Sequence, residues 1–530
     1  MNDVVIVGAG PVGLFAALLL GQRGHTVAVF EKWPTFYPLP RACSIDHEII
    51  RLLQDAGLGD EFGPLLDPIM GPEKTYEFHN QAGETLLQID WNRPGASGWA
   101  QMNMFYQPDL ERMLVRHLEA LTNVEVRRGL ELAELEQHPD HVVLRLSDAA
   151  QPQGATVDVQ GRYVIGADGA RSTVRQQLGI EQTDLGFAYD WLVVDVVPHE
   201  ERVWKPYVVQ HCDPSRPTTL VGSGPGRRRW EFMRLPGETI DELNTTTKAW
   251  ELLAPYDIKP GSATLERHAV YTFRGAWAHR WTSGQVLLAG DAAHLMPPFL
   301  GQGLCAGMRD AVALSWRLSM ILRGDAPDAL LDSYGPERSE HVREIVRQAV
   351  EIGRVICMLD PAEVAARDEQ MKAAIKDPSR ALKPPPEPRL GSAGLYVVDD
   401  PHAGYLSVQG RVRRSGRDGL FDDVVGPGWQ LLLRDGCAPA HFDAEARAAL
   451  TWLGVVTARF GAAGDTVDLD GTYGAWFARL GADVVLVRPD LYVFGTSSVA
   501  DAGALLVAAS RAIADGSGTQ RRQELSEMVA

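Results

Sequence analysis

The sequence of 530 residues predicts an α/β protein, and three observations lead to this prediction. A short apolar strand, a glycine-rich turn and a helix follow one another within residues 4–22. Strands dominate residues 186–275, and further strand–glycine turns lie on both sides of that stretch. From about residue 429 onward, strands and helices alternate. We therefore expect a Rossmann-like unit interleaved with a β-sheet domain, followed by a smaller β/α domain.

Composition narrows the partners and the cellular setting. The chain carries 51 Lys and Arg against 69 Asp and Glu, and its formal net charge of −18 excludes nucleic acid as an expected partner. Its 5 Cys are scattered and form no C-x-x-C pair, so we expect neither a disulfide framework nor a metal site. Glycines interrupt the apolar stretch from Val4 to Leu20, and no positive charge precedes it. We therefore expect no signal peptide, no membrane contact and a cytoplasmic location.

The first motif is a G-x-G-x-x-G turn at residues 8–13, between a buried strand and a helix that runs to Gln22. Glycines permit the tight turn and a close approach of the backbone to a pyrophosphate, and the helix N-terminus favours its charge. The next strand leads to Glu31, which follows Gly13 by 18 residues, near the spacing of an acid that binds ribose hydroxyls. On these residues alone, both FAD and NAD remain open. The predicted dinucleotide contacts are Gly8, Gly10, Pro11, Gly13, Glu31 and Lys32.

Two later motifs each place an aspartate after a strand. Residues 163–172 read as a strand, a Gly-Ala-Asp-Gly turn that contains Asp168, and the start of a helix. Residues 286–294 read as a buried strand that leads to Gly-Asp, and Asp291 is expected to meet ribityl or ribose hydroxyls. In the next loop, residues 297–304, two prolines form an apolar wall. The Gly-Gln-Gly segment that follows them offers backbone N–H groups to an electron-rich ring edge.

In this order, the three motifs resemble those of the FAD-dependent aromatic hydroxylases, the group A flavoprotein monooxygenases. The resemblance covers about residues 1–380. Segments 40–42, 103–111 and 228–233 are similar to the branch that contains 3-(3-hydroxyphenyl)propionate hydroxylase. The sequence shows no second G-x-G-x-x-G after a strand, which favours one resident dinucleotide and a briefly visiting nicotinamide over a reductase with two dinucleotide domains.

The resemblance implies FAD as the resident cofactor and NADH or NADPH as a transient reductant. It places Glu31 at the adenosine ribose, Asp291 at the ribityl chain, and Asp168 in a motif linked to both FAD and nicotinamide contacts. Cys305 departs from the family pattern, in which many members have Asn, so a backbone contact would have to serve there. It places Arg41 at the pyrophosphate or ribityl region and Gln107 near the flavin, and the residues that would line the isoalloxazine ring are Pro298, Gly301, Gln302, Gly303 and Leu304.

The reaction that the resemblance implies is the hydroxylation of a phenol. NAD(P)H reduces the flavin, O₂ forms a hydroperoxide at flavin C4a, and one oxygen atom passes to an electron-rich ring carbon. The expected substrate is a phenolic acid similar to hydroxyphenylpropionate. Three alternatives remain open: a tailoring enzyme that hydroxylates or epoxidises a larger polyketide-like aromatic, a flavoprotein oxidase or dehydrogenase that inserts no oxygen, and a non-enzymatic module that holds FAD. The sequence does not name the residue that activates the phenol.

Aromatic and basic side chains of the β-rich stretch are the candidate substrate contacts. In the strand of residues 229–235, Trp230 and Phe232 share one face, and Glu231 and Met233 share the other. An aromatic face packed over the flavin would form a pocket for a flat ring. The predicted lining residues are Trp191, Arg229, Trp230, Phe232 and Pro297.

The last domain is expected to be thioredoxin-like but without dithiol chemistry. Cys437 is followed by Ala-Pro-Ala, so the second thiol of a C-x-x-C pair is missing. We expect this domain to be structural or to mediate contact in a homodimer. The expected order is an FAD-binding domain at 1–185 and 276–380, a substrate domain at 186–275, a proline-rich linker at 381–400 and the thioredoxin-like domain at 401–530.

Overall fold

The computed structural model describes residues 1–37, 42–377, 389–434, 442–461 and 464–516, together with the backbone of residues 519–520. Arg41, Cys437 and the proline run 384–388 lie outside the described residues. Within those ranges, no helix is both long and apolar enough to cross a bilayer.

The α-helices are α1 (Pro11–Gln22), α2 (His47–Asp55), α3 (Gly59–Phe62), α4 (Gln107–Glu119), α5 (Thr173–Gln177), α6 (Ile240–Leu243), α7 (Thr246–Leu253), α8 (Gly303–Leu322), α9 (Tyr334–Ile356), α10 (Pro361–Lys376), α11 (Phe421–Val424), α12 (Ala444–Leu453), α13 (Thr472–Leu480) and α14 (Ala502–Ala514). The strands are β1 (Asn2–Val7), β2 (Val27–Glu31), β3 (Ser44–Asp46), β4 (Asp67–Pro68), β5 (Tyr76–His79), β6 (Thr85–Ile89), β7 (Met102–Met104), β8 (Val124–Arg128), β9 (Leu130–Gln137), β10 (Val142–Asp148), β11 (Thr156–Gly166), β12 (Gln182–Pro198), β13 (Val208–His211), β14 (Thr218–Gly222), β15 (Arg228–Met233), β16 (Ala263–Ala278), β17 (Thr282–Ser283), β18 (Val286–Leu288), β19 (His294–Leu295), β20 (Tyr396–Val397), β21 (Arg411–Arg414), β22 (Arg417–Leu420), β23 (Gln430–Leu433), β24 (Val456–Arg459), β25 (Val467–Asp468), β26 (Val484–Val487), β27 (Val493–Ser497) and β28 (Thr519–Gln520).

The first sheet has the strand order β17-β18-β11-β1-β2-β8. β1 pairs in parallel with β2 and β11, and β11 pairs in parallel with β18. α1 packs against α8, where a Cβ on Gly307 would lie 2.7 Å from a methyl carbon of Val12, so glycine is needed for this approach. The Rossmann-like strand, turn and helix that the sequence predicts are therefore confirmed.

The second sheet has the strand order β19-β16-β12-β15-β14-β13-β5-β6. One of its faces packs into the main core through residues that include Tyr76 and Trp191. The opposite face, with Trp230 and Phe232, packs against Leu253 of α7. Strands form within residues 186–275 as predicted, and β5, β6 and β19 join the same sheet from outside that range. The predicted domain limits therefore remain a proposal.

The C-terminal sheet has the strand order β24-β23-β26-β27, in which only β23 and β24 pair in parallel. Along the chain the elements run β23, α12, β24, α13, β26, β27 and α14. This is the order of strands and helices that the sequence predicts, including the two successive strands before the last helix. The likeness of this domain to thioredoxin stays a prediction.

Buried ion pairs fix the C-terminal domain against the rest of the chain. Glu337 of α9 pairs with Arg317 of α8 at 2.8 Å and with Arg488 at 2.6 Å. Arg51 of α2 forms a second hydrogen-bonded pair with Asp422 of α11. All of these side chains are buried, and a buried charge is stable only beside its partner. The domain therefore has one specified position on α2, α8 and α9.

Candidate active site

The predicted motifs meet at one edge of the first sheet. Gly8 follows β1, Glu31 ends β2, Asp168 lies two residues after β11, and Asp291 lies three residues after β18. β18, β11, β1 and β2 are neighbouring parallel strands, so their carboxyl ends share one edge. Open α/β sheets bind nucleotides at this edge.

The glycine turn excludes side chains at two positions and leaves open space at a third. A Cβ on Gly8 would overlap the carbonyl oxygen of Ala167, and one on Gly13 would overlap the carbonyl oxygen of Gly8. A Cβ on Gly10 would meet no described atom within 4 Å. Helix α1 begins beside it at Pro11, and no side chain of the described residues caps that helix. Its first N–H groups are therefore available to an anion.

The carboxylate of Glu31 is held beside the glycine turn. Its Oε2 accepts a hydrogen bond from the backbone N–H of Ala9 at 2.9 Å, and its Oε1 accepts one from Trp33 at 3.0 Å. Each carboxylate oxygen can accept a second bond, so Glu31 can still bind ligand hydroxyls. Lys32, the next residue, is exposed.

Asp168 carries an acceptor that the protein does not satisfy. Its Oδ2 accepts a hydrogen bond from the backbone N–H of Val174 at 3.1 Å, but its buried Oδ1 has no hydrogen-bond partner in the described part of the chain. Burial raises the pKa of Asp168 above its usual value, against the effect of the nearby Ser172 hydroxyl and backbone N–H groups. An orphaned acceptor at the nucleotide edge fits a ligand with hydroxyl groups.

The proline–glycine loop is held from two other elements. The backbone at Gly301 has a φ of 65°, and a Cβ there would overlap the Ser44 hydroxyl of β3. The Tyr76 hydroxyl of β5 donates a hydrogen bond to the carbonyl oxygen of Phe299 at 3.1 Å. The Gln302 side chain accepts one from Arg309 at 3.0 Å, and α8 begins at Gly303. This loop thus has a defined position between β3, β5 and α8.

Gln107 lies at the start of α4 and holds the chain just after the segment that contains Arg41. Its Oε1 accepts a hydrogen bond from the backbone N–H of Ala42 at 2.9 Å, and its Nε2 donates one to Glu111 at 2.7 Å. Burial raises the pKa of Glu111. Gln107 can therefore affect a bound ligand indirectly, by holding this loop, as well as by direct contact.

The structure brings only part of the predicted substrate face to the loop. The ring centroid of Trp191 lies 5.6 Å from that of Phe299, next to Pro298. Arg229 lies on the same face as Trp191, since it pairs with Asp195 of β12, four residues further along. Trp230 and Phe232 alternate to the opposite face and pack beside α7. The structure therefore does not bring these two aromatics together with the loop or with Trp191, and Pro297 is buried within the loop itself.

Sequence reasoning missed a buried polar cluster on this face. Asp195 accepts hydrogen bonds from Arg229 at 2.7 and 3.0 Å and from Arg267 at 2.7 Å. Glu231 lies 3.8 Å from the Arg229 guanidinium. The available sequence signal was that Glu231 follows Arg229 by two residues in β15, so both side chains lie on one face. Their partners come from β12 and β16, which are distant in sequence.

Comparisons with known proteins agree with this geometry. A family model described as an FAD binding domain matches residues 1–349, and one described as an HcaD C-terminal domain matches residues 404–512. A probable NADH-specific resorcinol 4-hydroxylase of Rhodococcus jostii is 39% identical over 502 residues, which cover 93% of this chain and 91% of that one. A 3-(3-hydroxy-phenyl)propionate/3-hydroxycinnamic acid hydroxylase of Comamonas testosteroni is 31% identical over 95% of each chain.

Solved structures extend the likeness to almost the whole chain. Aklavinone-11 hydroxylase, crystallised with FAD and aklavinone, is 27% identical with a TM-score of 0.76 and covers 97% of this chain and 99% of its own. The p-nitrophenol 4-monooxygenase of Pseudomonas putida is 26% identical with a TM-score of 0.63 and covers 72% of this chain and 95% of its own.

The glycine turn with open space at Gly10 and the unsatisfied acceptor on Asp168 both lie within the residues that the FAD binding domain model matches. With the family match over residues 1–349 and relatives aligned over more than nine tenths of the chain, this protein belongs to the FAD-dependent aromatic hydroxylases.

Proposed function

We propose that this enzyme uses NADH and O₂ to hydroxylate a small, uncharged phenol of the resorcinol type. The Rhodococcus relative, named for NADH and resorcinol, shares 39% identity, against 31% for the Comamonas relative named for a phenolic acid. A phenolic acid similar to hydroxyphenylpropionate is the second candidate, and the name of the Comamonas relative supports it.

The charge balance of the sheet face carries this choice. Arg229 already holds Asp195 through two hydrogen bonds, and Arg267 binds the same carboxylate. Glu231 adds a second carboxyl group 3.8 Å from Arg229. With Arg227 and Glu266 included, the cluster has three cations and three acids, so a substrate carboxylate beside Glu231 would be repelled without meeting an excess of positive charge. An uncharged phenol meets no such repulsion.

The same geometry supports an assignment of the cofactor contacts. The N–H groups at the start of α1 and the space at Gly10 would hold the pyrophosphate, and Glu31 the adenosine ribose. Asp168 and Asp291 would bind hydroxyls at the strand ends, and the loop of residues 298–304 would line the isoalloxazine ring. When bound, FAD supplies the redox chemistry that couples oxidation of the nicotinamide to insertion of oxygen.

An apolar wall beside the loop would exclude water from the reacting ring. The rings of Trp191, Phe273 and Phe299 lie 5.6 to 6.1 Å apart between centroids, and Trp191 and Phe299 are buried. An apolar wall that excludes water reduces the loss of oxidising equivalents to solvent. It supports oxygen insertion over an oxidase reaction, and the small-phenol names of the relatives disfavour a polyketide-like substrate.

A substrate screen tests the proposal. Purified holoenzyme is mixed with NADH or NADPH and with resorcinol, hydroxyphenylpropionate or hydroxybenzoate, and nicotinamide oxidation and product mass are recorded. We expect the largest stimulation with NADH and resorcinol, and a product heavier by one oxygen atom. Preference for the phenolic acids would favour the second candidate, and peroxide as the sole product would refute the hydroxylase proposal. The mass of the native enzyme in solution tests the predicted homodimer.

A further inference from the structure

A buried carboxyl group lies on the sheet face that covers the proline–glycine loop of residues 297–304, here called the flavin loop. Glu231 is in the centre of β15, between Arg229 and Met233 on the same face, and only 4% of the residue is exposed. Its neighbour Met233 pairs across the sheet with Trp191, which contacts Phe299 of the loop. Glu231 therefore lies next to the Met233–Trp191 pair, on the same sheet face as the aromatic wall.

The carboxyl group of Glu231 also lacks close hydrogen-bond donors among the described residues. Its nearest cation is Arg229, 3.8 Å away, and that guanidinium is bonded twice to Asp195. In the part of the chain that the structure describes, no group donates a hydrogen bond to Glu231. A buried carboxylate without donors is costly, and such groups in native proteins usually serve a ligand or a reaction.

A hydrogen-bonded chain links the surroundings of Glu231 to the loop. Thr219, its cross-strand partner on β14, donates to Gln210 at 2.6 Å. Gln210 donates to the Tyr76 hydroxyl at 3.1 Å, and that hydroxyl donates to the carbonyl oxygen of Phe299 at 3.1 Å. This chain fixes the sheet face that carries Glu231 relative to the loop.

We propose that Glu231 is the catalytic base that accepts the proton of the substrate hydroxyl. This inference rests on the proposed function and names the group that activates the phenol. The phenolic O–H bond breaks, its electron pair stays on the phenol oxygen, and the proton binds a carboxylate oxygen of Glu231. The resulting phenolate makes the ring carbons electron-rich, as oxygen transfer requires. The ring proton displaced by the new hydroxyl group leaves to solvent, and Glu231 returns its proton to the phenolate oxygen of the product, which regenerates the carboxylate.

The groups around Glu231 are consistent with this role. Burial raises the pKa of Glu231 to about 7, with Arg229 lowering it and Asp195 raising it further. Burial also raises the pKa of the Cys43 thiol to about 11 and that of Tyr76 well above its usual value, so both stay neutral. Of these neighbours, only Glu231 titrates near neutrality, where a base is most effective.

A chromophoric phenol tests the proton transfer directly. The holoenzyme and its Glu231→Gln variant are titrated with 4-nitrophenol below the pKa of the free probe, and absorbance reports its ionised fraction. We expect the bound probe to be ionised in the wild type and neutral in Glu231→Gln. The matched control is Glu77→Gln on the opposite face of the same sheet, where Glu77 pairs with His79. An ionised probe in Glu231→Gln would overturn the inference.

Turnover gives an independent readout. We expect Glu231→Gln to lose about 10² to 10⁴ of kcat with little change in KM, and to lose the acidic limb of the pH profile near pH 7. Glu231→Asp should restore that limb in part, whereas a merely structural residue would not. If the wild type hydroxylates phenols and Glu231→Gln keeps its rate, only the base assignment fails. If the wild type yields no hydroxylated product, the proposed function fails first.

Discussion

The hydroxyl of Tyr492, in the C-terminal domain, donates a hydrogen bond of 2.8 Å to Glu48 of α2, 444 residues away in sequence. Glu48 accepts a second bond from Arg309 at 2.7 Å, and Arg309 also donates to Gln302 of the flavin loop at 3.0 Å. The C-terminal domain thus reaches the cofactor loop through a buried chain of polar side chains. These contacts allow the C-terminal domain to position the loop.

Tyr492→Phe tests this connection. Removing the hydroxyl deprives Glu48 of one donor, which costs about 1 kcal/mol. Expressed at the loop, that energy weakens FAD binding by at most about fivefold. The check is the FAD dissociation constant measured by flavin fluorescence. Tyr405→Phe is the control, because the Tyr405 ring contacts Arg389 through its face. Equal FAD affinity in wild type and Tyr492→Phe would show that the domain does not support the loop.

Gly10→Ala tests the phosphate site separately from folding. A Cβ at Gly10 meets no described atom within 4 Å, and the backbone is extended with a φ of −78°, so the apoprotein should fold normally. A pyrophosphate at the start of α1 would collide with that methyl group. We expect the melting temperature of the apoprotein to be unchanged and its affinity for FAD to fall at least tenfold.

Gly261→Ala is the matched control for Gly10→Ala, since a Cβ there also meets no described atom within 4 Å. It should change neither melting nor FAD content. Full FAD retention in Gly10→Ala would place the pyrophosphate elsewhere.

Asp168→Asn tests the unsatisfied carboxyl group of Asp168 through the pH dependence of stability. Burial raises the pKa of Asp168 in the folded state, so its ionised form opposes folding above the unfolded value of about 3.9. The Asn variant of the apoprotein should therefore be more stable than wild type at neutral pH, and the gain should vanish in acid. Thermal unfolding of the apoproteins across this pH range measures the difference.

Asp184→Asn provides a control of opposite sign. The hydrogen bond from Arg274 holds the pKa of Asp184 below its usual value, so this variant should lose stability at neutral pH. If Asp168→Asn also lost stability there, the carboxylate would have a partner that stabilises its charge.

Glu337→Gln tests the ion pairs that dock the C-terminal domain. Arg317 and Arg488 hold the pKa of Glu337 well below its usual range, so its stabilisation is present at neutral pH and disappears as pH falls through the folded pKa. The variant removes the acid that Arg317 and Arg488 share and leaves Asp490 as the remaining partner of Arg488, so we expect a loss of about 3 kcal/mol in the free energy of unfolding. Denaturant unfolding at neutral pH measures it.

Glu351→Gln removes an exposed acid that pairs with Arg354 on the same helix, and it should have no measurable effect. A comparable loss in Glu337→Gln and Glu351→Gln would argue that the buried pairs do not specify the docking.

The cofactor motifs were predictable because each is local. Gly8 to Gly13 and Asp168 follow strands whose last residues are apolar, and a strand followed by glycine and a helix has one common geometry in an α/β sheet. The alternation of Trp230 and Phe232 was also predictable. Which face meets the loop was not, because α7 covers that side through contacts distant in sequence.

The polar cluster at Glu231 shows the same limit. Its register with Thr219 belongs to the neighbouring strands β14 and β15, but the link through Gln210 to Tyr76 on β5 depends on strand pairing across more than 130 residues. No local pattern encodes that pairing, so the catalytic base emerged only from the folded sheet.

Product analysis under ¹⁸O₂ with NADH and resorcinol tests the central claim most directly. We expect substrate to accelerate NADH oxidation and the product to contain one oxygen atom derived from ¹⁸O₂. Accelerated oxidation that yields hydrogen peroxide and unmodified phenol, across resorcinol and the phenolic acids alike, would contradict it.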